Sequence, residues 1–235
     1  MPRKFTKNNI LNLLPETTYT AWAPYFETVD LPMGKVIYEP GSILSHMYFP
    51  TTAIVSWVYV LENGASTEIA MTGREGVVGM YMLMGGGKTQ NQGIVQTAGQ
   101  AIRLPVQVVL DAFSQGHEVQ SIFWLFTRAL ITQMAQIAVC HRHHSLDLQL
   151  SRMLLLTLDR MDDNTIVMTH EVIASLLGVR REGVTMAAKK LMQEGIICYA
   201  RGRITILNRP ALEQRACECY GVIRQEYERL LPGSS

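Results

Sequence analysis

The chain has 235 residues, of which 48% are hydrophobic and 17% are charged, and its formal net charge is +1. This composition is typical of a globular protein with one large or two modest domains, and it excludes a disordered chain. No run of eighteen apolar residues predicts a membrane span, and the opening MPRKFTKNN lacks the apolar stretch of a secretory signal, so we expect a cytoplasmic protein with no membrane partner.

The amino-terminal half predicts short helices followed by antiparallel β structure. Residues 6–27 predict one or two short helices, and from residue 29 short β-branched and aromatic runs alternate with turns. These runs lie at 35–38, 47–49, 54–61, 67–71 and 93–104. Asn63-Gly64, between 54–61 and 65–71, is the strongest hairpin signal. Strands at this spacing indicate an antiparallel sandwich or barrel.

A long helix is predicted from about Glu118 to His144, and a further helix from about 146 to 161. Along the long helix, mostly apolar residues alternate by four and three in the manner of a coiled-coil seam. The apolar members proposed for the seam are Phe123, Phe126, Leu130 and Ile137. A parallel dimer would cover this stripe, and docking onto the β-rich half would use the same stripe.

Residues 168–207 predict a helix-turn-helix followed by a basic hairpin. Residues 169–177 form the first helix with Thr169 as N-cap, Gly178-Val179 makes the turn, and residues 180–194 form the second helix. Gly195 ends that helix, and strands at 196–199 and 204–207 are joined by residues 200–203. Core positions of the second helix are Val184, Ala187, Ala188 and Leu191. This winged helix-turn-helix lays one helix in the major groove of DNA.

Charge supports DNA as the partner. Residues 180–209 contain seven Arg or Lys and two acids, a local balance of +5, whereas the whole chain carries +1. A basic patch on a nearly neutral protein is the electrostatic signature expected for binding phosphates.

No enzyme site emerges from the sequence, and no metal is predicted. The four cysteines, Cys140, Cys198, Cys217 and Cys219, are expected to be thiols, and no second pair complements Cys217-x-Cys219 at zinc-finger spacing. His141 and His144 share one helical face and would give two metal ligands, or four across a dimer, but no carboxylate completes the site. Histidines near a helix end also interact favourably with the helix dipole. No Ser/His/Asp or paired-carboxylate constellation is present at sensible spacing.

The joint order of these elements and several short segments resembles the cAMP receptor protein/FNR (Crp/Fnr) family of bacterial transcription regulators. The segments are YEPG (38–41), MYFP (47–50), GREGVVG (73–79), LSR (150–152), IASLLGV (173–179) and RGRITI (201–206). The resemblance implies an α+β fold with three parts: a β-roll sensor of the cyclic-nucleotide-binding type (a double-stranded β-helix) at 1–115, a dimerisation helix at 116–144 and a winged helix-turn-helix at 145–235. It also implies a homodimer.

The resemblance assigns DNA base reading to Arg181 and Glu182. The chain departs from the family pattern at Arg180, Gly183 and Met186, where a capping Ser, a Thr and a base-reading Arg are common. We therefore expect the chain to dock on DNA as the family does, but to read a different operator sequence. Phosphate-contacting or supporting positions are Thr169, Arg180, Thr185, Met186, Lys189, Arg201 and Arg203.

The sensor cassette lacks the charged anchors of cyclic-nucleotide-binding relatives. Gly79 is followed by Met80 where the family places a glutamate, and Thr89-Gln90-Asn91-Gln92 stands in the arginine region, with Lys88 only nearby. Without the fixed cation, the cyclic phosphate loses its charge-assisted contacts, so we expect no cAMP binding and no cofactor. Gly85 to Thr89 is predicted to be a flexible loop rather than a P-loop. The sequence does not indicate which effector, if any, the chain binds.

The sequence therefore predicts a homodimeric, sequence-specific transcription regulator. A metal-tuned, redox-tuned or ligand-independent regulator of the same fold is an alternative, and a small-molecule binding module without DNA function is an alternative of another class. Activation would require contacts with RNA polymerase, for which the chain carries no readable pattern.

Overall fold

The computed structural model describes residues 6–85 and 87–231. The chain divides into two compact units, one comprising residues up to Trp57, Met71–Ile131 and residues from Tyr227, the other comprising Val58–Ala70 and Thr132–Glu226. The division falls inside the long helix. Residues 1–5 of the predicted sensor, residues 232–235 of the predicted DNA-binding part and Gly86 in the glycine loop lie outside the described residues.

The amino-terminal region contains two short helices and seven strands. The helices are α1 (Asn9–Leu13) and α2 (Glu16–Trp22). The strands are β1 (Glu27–Leu31), β2 (Val36–Tyr38), β3 (His46–Pro50), β4 (Ile54–Val60), β5 (Ser66–Thr72), β6 (Gln92–Thr97) and β7 (Gly99–Pro105). They form two sheets with strand orders β1-β7-β3 and β2-β6-β4-β5. The predicted antiparallel β architecture is therefore confirmed, and the single run expected at 93–104 is two strands that meet near Ala98.

A buried asparagine fixes α1 to the first unit. Asn8 is the N-cap of α1, where its side chain accepts from the backbone N–H of Leu11. Its Nδ2 donates to the carbonyls of Pro50 at 2.9 Å and Gly76 at 2.8 Å. Because Asn8 is fully buried, these bonds replace the water that its amide would otherwise bind.

Two helices follow the strands, α3 (Val106–Gln115) and the long α4 (His117–His143). In the first unit, α4 lies so close to Gly76 that a Cβ there would be 2.3 Å from the ring of Phe126. Phe123 packs edge-to-face on Phe113, with ring centroids 6.1 Å apart. By length and mean hydropathy (1.4), α4 is the one helix among the described residues that is apolar enough to cross a membrane, a test that core helices of soluble proteins also pass.

The four residues predicted for the dimer seam are buried within a single copy of the chain. Phe123 and Phe126 expose 0% of their surface, Leu130 4% and Ile137 2%. Side chains already buried in one copy have almost no area left to bury against a second. The apolar residues that α4 exposes are others, namely Trp124 (46%), Leu125 (37%), Ile131 (57%) and Val139 (49%).

The second unit contains a three-stranded sheet and the remaining helices, apart from the end of the last helix from Tyr227 onwards. The helices are α5 (Leu146–Leu158), α6 (His170–Leu177), α7 (Arg181–Gln193), α8 (Arg209–Gln214) and α9 (Glu218–Leu230). The strands β8 (Thr165–Val167), β9 (Ile197–Ala200) and β10 (Arg203–Ile206) pair in the order β8-β10-β9. Arg201 (φ +51°) and Gly202 (φ +75°) form the two-residue turn between β9 and β10. The predicted winged helix-turn-helix is present, and β8 was missed because three residues are too few to show an alternation.

Candidate nucleic-acid interface

The helix-turn-helix is built from α6, a glycine turn and α7. The hydroxyl of Thr169 accepts from the N–H of Val172 at 3.3 Å and caps α6, as predicted. Gly178 adopts φ +67°, and its N–H and that of Val179 bond to carbonyls in the last turn of α6. The inner faces of the two helices are buried, including Ile173, Leu177, Val184, Ala187, Ala188 and Leu191. Turn and core together fix α7 on α6.

The outer part of the β4–β5 hairpin, Val58–Ala70, belongs to the second unit and lies close to the turn at Gly178. Gly64 (φ +81°) lies at its tip in a three-residue loop, which is closed by the bond that the N–H of Leu61 donates to the carbonyl of Ala65 at 2.8 Å. The hydroxyls of Ser66 and Ser175 are 2.7 Å apart. A Cβ on Gly178 would be 2.3 Å from Oγ1 of Thr67. Gly178 is therefore required both by its positive φ and by this contact.

We expect Gly178→Ala to lower the free energy of unfolding by about 2–4 kcal/mol, since it adds left-handed strain and a steric clash. Gly195 is the matched control, because it has φ +68° and open space within 4 Å of the added Cβ. Gly195→Ala should cost only the strain, about 1–2 kcal/mol. Urea denaturation measures both values, and equal losses would contradict the role given to the hairpin contact.

The two predicted base-reading residues lie in the first turn of α7 and are exposed. Arg181 Nε is 3.9 Å from Glu171 Oε2, and the two side chains are 67% and 76% exposed, so this ion pair is weak. Met186, one turn further along α7, exposes 66% of its surface. The first two turns of α7 thus present a guanidinium, a carboxylate and a thioether to solvent.

The predicted supporting residues divide into two groups. Arg180, Lys189, Arg201 and Arg203 are exposed, and no ion pair is seen for them in the part of the chain that the structure describes. Thr185 is instead engaged internally, since its hydroxyl donates to the carbonyl of Arg181 at 3.1 Å.

Two further members of the basic patch are already paired with carboxylates. Lys190 Nζ is 2.6 Å from Asp147 Oδ2. Arg209 pairs with Asp159 and Glu213, and this hydrogen bonding raises the pKa of its guanidinium against the opposing effect of burial. Among the described residues, Arg180, Lys189, Arg201 and Arg203 are therefore the patch cations without an ion pair, and Arg181 has only the weak one with Glu171.

A histidine joins α6 to α7 and to the wing. His170 stacks on Tyr199 with ring centroids 4.0 Å apart, and its Nδ1 is 3.0 Å from Thr185 Oγ1. Burial, and then the charge of Arg181, lowers the pKa of His170. The unfolded chain has the ordinary pKa of about 6.5, so the unfolded state takes up the proton first as the pH falls. The stabilisation from neutral His170 is present above that pH and is lost below it.

His170→Phe keeps the stacked ring and removes the titration. We expect the loss of unfolding free energy between about pH 7 and pH 5 to be smaller in this variant than in the native chain. The exposed His117, changed to Gln, should leave the native loss unaltered. Chemical denaturation at a series of pH values tests this. If the native protein and the His170→Phe variant lost the same unfolding free energy over this pH range, His170 would be excluded as the source of the loss.

In the predicted sensor cassette, Met80 and residues 89–92 carry no charge. Gly79 (φ +108°) precedes a short 3-10 turn, Met80–Leu83, whose first residue exposes 1% of its surface. In the predicted arginine region, Thr89 Oγ1 donates to Asn91 Oδ1 at 2.6 Å, and both residues are buried. Gln92 Nε2 donates to Glu39 at 2.9 Å. Lys88 and Gln90 are exposed.

Comparison with known proteins matches two regions of the chain to known domain families. Residues 28–116 match the cyclic nucleotide-binding domain family, and residues 149–215 match the Crp-like helix-turn-helix domain. The chain belongs to the Crp/Fnr family. This Crp/Fnr protein is a DNA-binding transcription regulator and not an enzyme, as predicted.

Relatives of the Crp/Fnr regulator include two curated proteins named global nitrogen regulator. That of Synechococcus elongatus is 27% identical over 192 residues, which are 77% of this chain and 86% of the relative. That of Nostoc is 25% identical over 207 residues, 84% of this chain and 92% of the relative. Solved structures share the fold: FixK2 from Bradyrhizobium japonicum has a TM-score of 0.68 at 17% identity, covering 82% of this chain and 98% of that one. A Crp/Fnr regulator from Thermus thermophilus has a TM-score of 0.65 at 21% identity, covering 81% and 98%.

The two histidines considered as metal ligands are separated in the structure of the regulator. His141 Nε2 is 3.5 Å from Nη2 of Arg152, and burial with that neighbouring charge lowers the pKa of His141 to about 4. His144 lies instead beside three cysteines, Cys140, Cys217 and Cys219. The sequence indicates this cluster only through two short spacings: Cys140 and His144 lie one helical turn apart, and Cys217 and Cys219 lie two residues apart.

Proposed function

We propose that the regulator is a homodimer that reads a twofold-symmetric operator with one α7 in each of two successive major grooves, about 34 Å apart. The observation that carries this proposal is the first turn of α7, where Arg181 and Glu182 are adjacent and exposed. A guanidinium suits the two acceptors of guanine, and a carboxylate accepts from the amino group of cytosine. Met186 offers an apolar contact, which suits the methyl group of thymine.

Phosphate contacts would come from the unpaired cations around this turn. Arg180 precedes α7, Lys189 follows two turns later, and Arg201 and Arg203 flank the tip of the wing. These residues would hold the register of α7 on the duplex without reading bases. Each phosphate contact releases counterions, so affinity should fall steeply with salt. A small-molecule binding module without DNA function would show no such dependence.

The exposed apolar residues of α4 support a dimer. Trp124 and Ile131 are seven residues apart, and Val139 lies eight residues after Ile131. These side chains therefore lie close to one line along the helix, on surface that a second copy of α4 would cover. Regulation would then act by changing the separation of the two α7 helices.

The neutral cassette supports a signal other than cAMP, or no ligand at all. Its buried Met80 and the Thr89–Asn91 hydrogen bond leave a cyclic phosphate without a charged partner. We place the regulator in the cytoplasm, where its DNA lies, and RNA polymerase is its further partner if it activates transcription.

The experiment that tests this function is selection of binding sites from random duplex DNA, with and without cAMP. We expect a twofold-symmetric motif enriched equally in both conditions. Enrichment only with cAMP would contradict the interpretation of Met80 and residues 89–92. Binding that shows no sequence preference and little dependence on salt would contradict the function itself.

A further inference from the structure

A buried cluster of sulfur and nitrogen atoms joins two helices of the second unit. Cys140 lies in the last turn of α4, and the N–H of His144 bonds to the carbonyl of Cys140 at 3.0 Å, which extends that turn. Cys217 directly precedes α9, and Cys219 is its second residue. One ligand atom from each of the four side chains lies within 4.8 Å of the other three. The cysteines expose 0%, 7% and 1% of their surfaces.

The distances match a mononuclear tetrahedral site. Sγ of Cys140 is 3.5 Å from Sγ of Cys217, and Sγ of Cys219 is 3.6 Å from Nδ1 of His144. Around a tetrahedral zinc ion with bonds of about 2.3 Å to sulfur and 2.0–2.1 Å to nitrogen, neighbouring ligand atoms are about 3.5–3.8 Å apart. An iron–sulfur cluster distributes its cysteines over two or more iron atoms and needs a wider spacing.

The second nitrogen of the histidine has the partner that a metal ligand requires. Nε2 of His144 is 3.4 Å from a carboxylate oxygen of Glu218. When Nδ1 binds a metal ion, Nε2 carries the proton and donates it to that carboxylate. Such carboxylate–histidine pairs orient the imidazole of metal sites and increase its basicity.

An unpaired buried cation provides an independent indication. Arg152 exposes 1% of its surface, and its Nε and Nη1 have no hydrogen-bond partner among residues 6–85 and 87–231. Its charge acts on the Cys140 thiol, and its Nη2 is 3.5 Å from Nε2 of His141. Burial of an uncompensated charge is costly. Three thiolates and one neutral imidazole around a divalent ion carry a net charge of −1, which would compensate this guanidinium.

We propose that Cys140, His144, Cys217 and Cys219 bind one zinc ion in a closed structural site. As the zinc ion binds, the three thiols would release their protons to solvent, and the three thiolates and the neutral imidazole would bind the ion. Neither zinc nor sulfur changes oxidation state. Four protein ligands leave no open position, so the site would have no catalytic role. Its effect would be to fasten the end of α4 to the start of α9. This inference is independent of the proposed DNA recognition.

The test uses the full-length protein, purified under reducing conditions without chelators. We expect about one zinc ion per chain by elemental analysis. After removal of zinc, titration with Co²⁺ should give the intense visible and thiolate charge-transfer bands of tetrahedral coordination, and added Zn²⁺ should abolish them. An octahedral cobalt spectrum, iron with inorganic sulfide, or a Cys140–Cys217 disulfide in the freshly purified protein would overturn the proposal.

Variants assign the ligands. Cys217→Ser and Cys219→Ser should retain less than about one tenth of the zinc, whereas Cys198→Ser should retain all of it, because Cys198 is exposed and outside the cluster. Glu218→Gln should weaken zinc binding about tenfold. Unchanged zinc content in the Cys217 and Cys219 variants would overturn the assignment.

His144→Cys keeps the proposal testable if the serine variants do not fold. It replaces one zinc ligand with another, so we expect it to keep the zinc ion and to intensify the thiolate bands of the cobalt form. His141→Cys is the matched control at the neighbouring histidine and should leave the cobalt spectrum unchanged. Loss of zinc from the His144 variant, or the same spectral change in both variants, would contradict coordination by His144.

Discussion

Arg181→Ala should weaken binding to the selected operator by about 1–3 kcal/mol, roughly 5- to 150-fold, and relax the preference at one base pair of each half-site. The reason is that Arg181 stands exposed in the first turn of α7 and makes only a weak ion pair with Glu171. Its guanidinium is therefore available for the two acceptors of guanine. Binding isotherms on the operator and on its single-base variants measure both effects.

Lys189→Ala is the matched control, because Lys189 lies on the same helix and is exposed. We expect it to weaken binding to all sequences alike and to reduce the slope of log affinity against log salt by about 1. An equal loss for Arg181→Ala on operator and random DNA would show that Arg181 contacts only phosphate.

Phe126→Ala should lower the free energy of unfolding by about 3–5 kcal/mol, the usual cost of deleting a fully buried aromatic ring. Phe126 exposes 0% of its surface, and its ring fills the space above Gly76. The first unit therefore loses its packing against α4 in each copy of the chain. Chemical denaturation followed by fluorescence measures the loss.

Ile131→Ser is the control on the exposed side of the same helix, where the side chain is 57% exposed. It should change the stability of the chain by no more than about 0.5 kcal/mol and weaken dimer association, which sedimentation measures. If Phe126→Ala weakened association and left stability unchanged, the prediction that Phe126 lies in the dimer seam would be supported.

The DNA-reading half was predicted from local signals. Thr169 as N-cap, Gly178 in the turn, Gly195 after α7 and the two-residue wing turn are requirements of individual backbone positions, which a single sequence displays directly. The apolar spacing of Val184, Ala187, Ala188 and Leu191 similarly identified the buried face of α7. Because α7 is only 13 residues long and both of its ends are marked in the sequence, apolar residues three and four apart identify its buried face.

The stripe on α4 shows the limit of periodicity. Spacing identified Phe123, Phe126, Leu130 and Ile137 as one apolar face, and the structure buries that face. What covers an apolar face is a property of the rest of the chain, since a coiled-coil partner and an intramolecular core require the same pattern. The glycine at position 76, fifty residues earlier, makes room for Phe126, and no local pattern links the two.

By itself, the sequence determined the order of the elements, the helix-turn-helix with its caps and turns, the basic wing and the neutral cassette. Each of these depends on residues within one turn or one strand of each other. Only the tertiary structure decided which cations are paired, which face of α4 is exposed, and that Cys140 and His144 meet Cys217 and Cys219. The physical reason is that ion pairs, buried faces and metal ligands depend on distances between residues far apart in the chain, 43 residues for Asp147 and Lys190 and 77 for Cys140 and Cys217. The fold sets those distances.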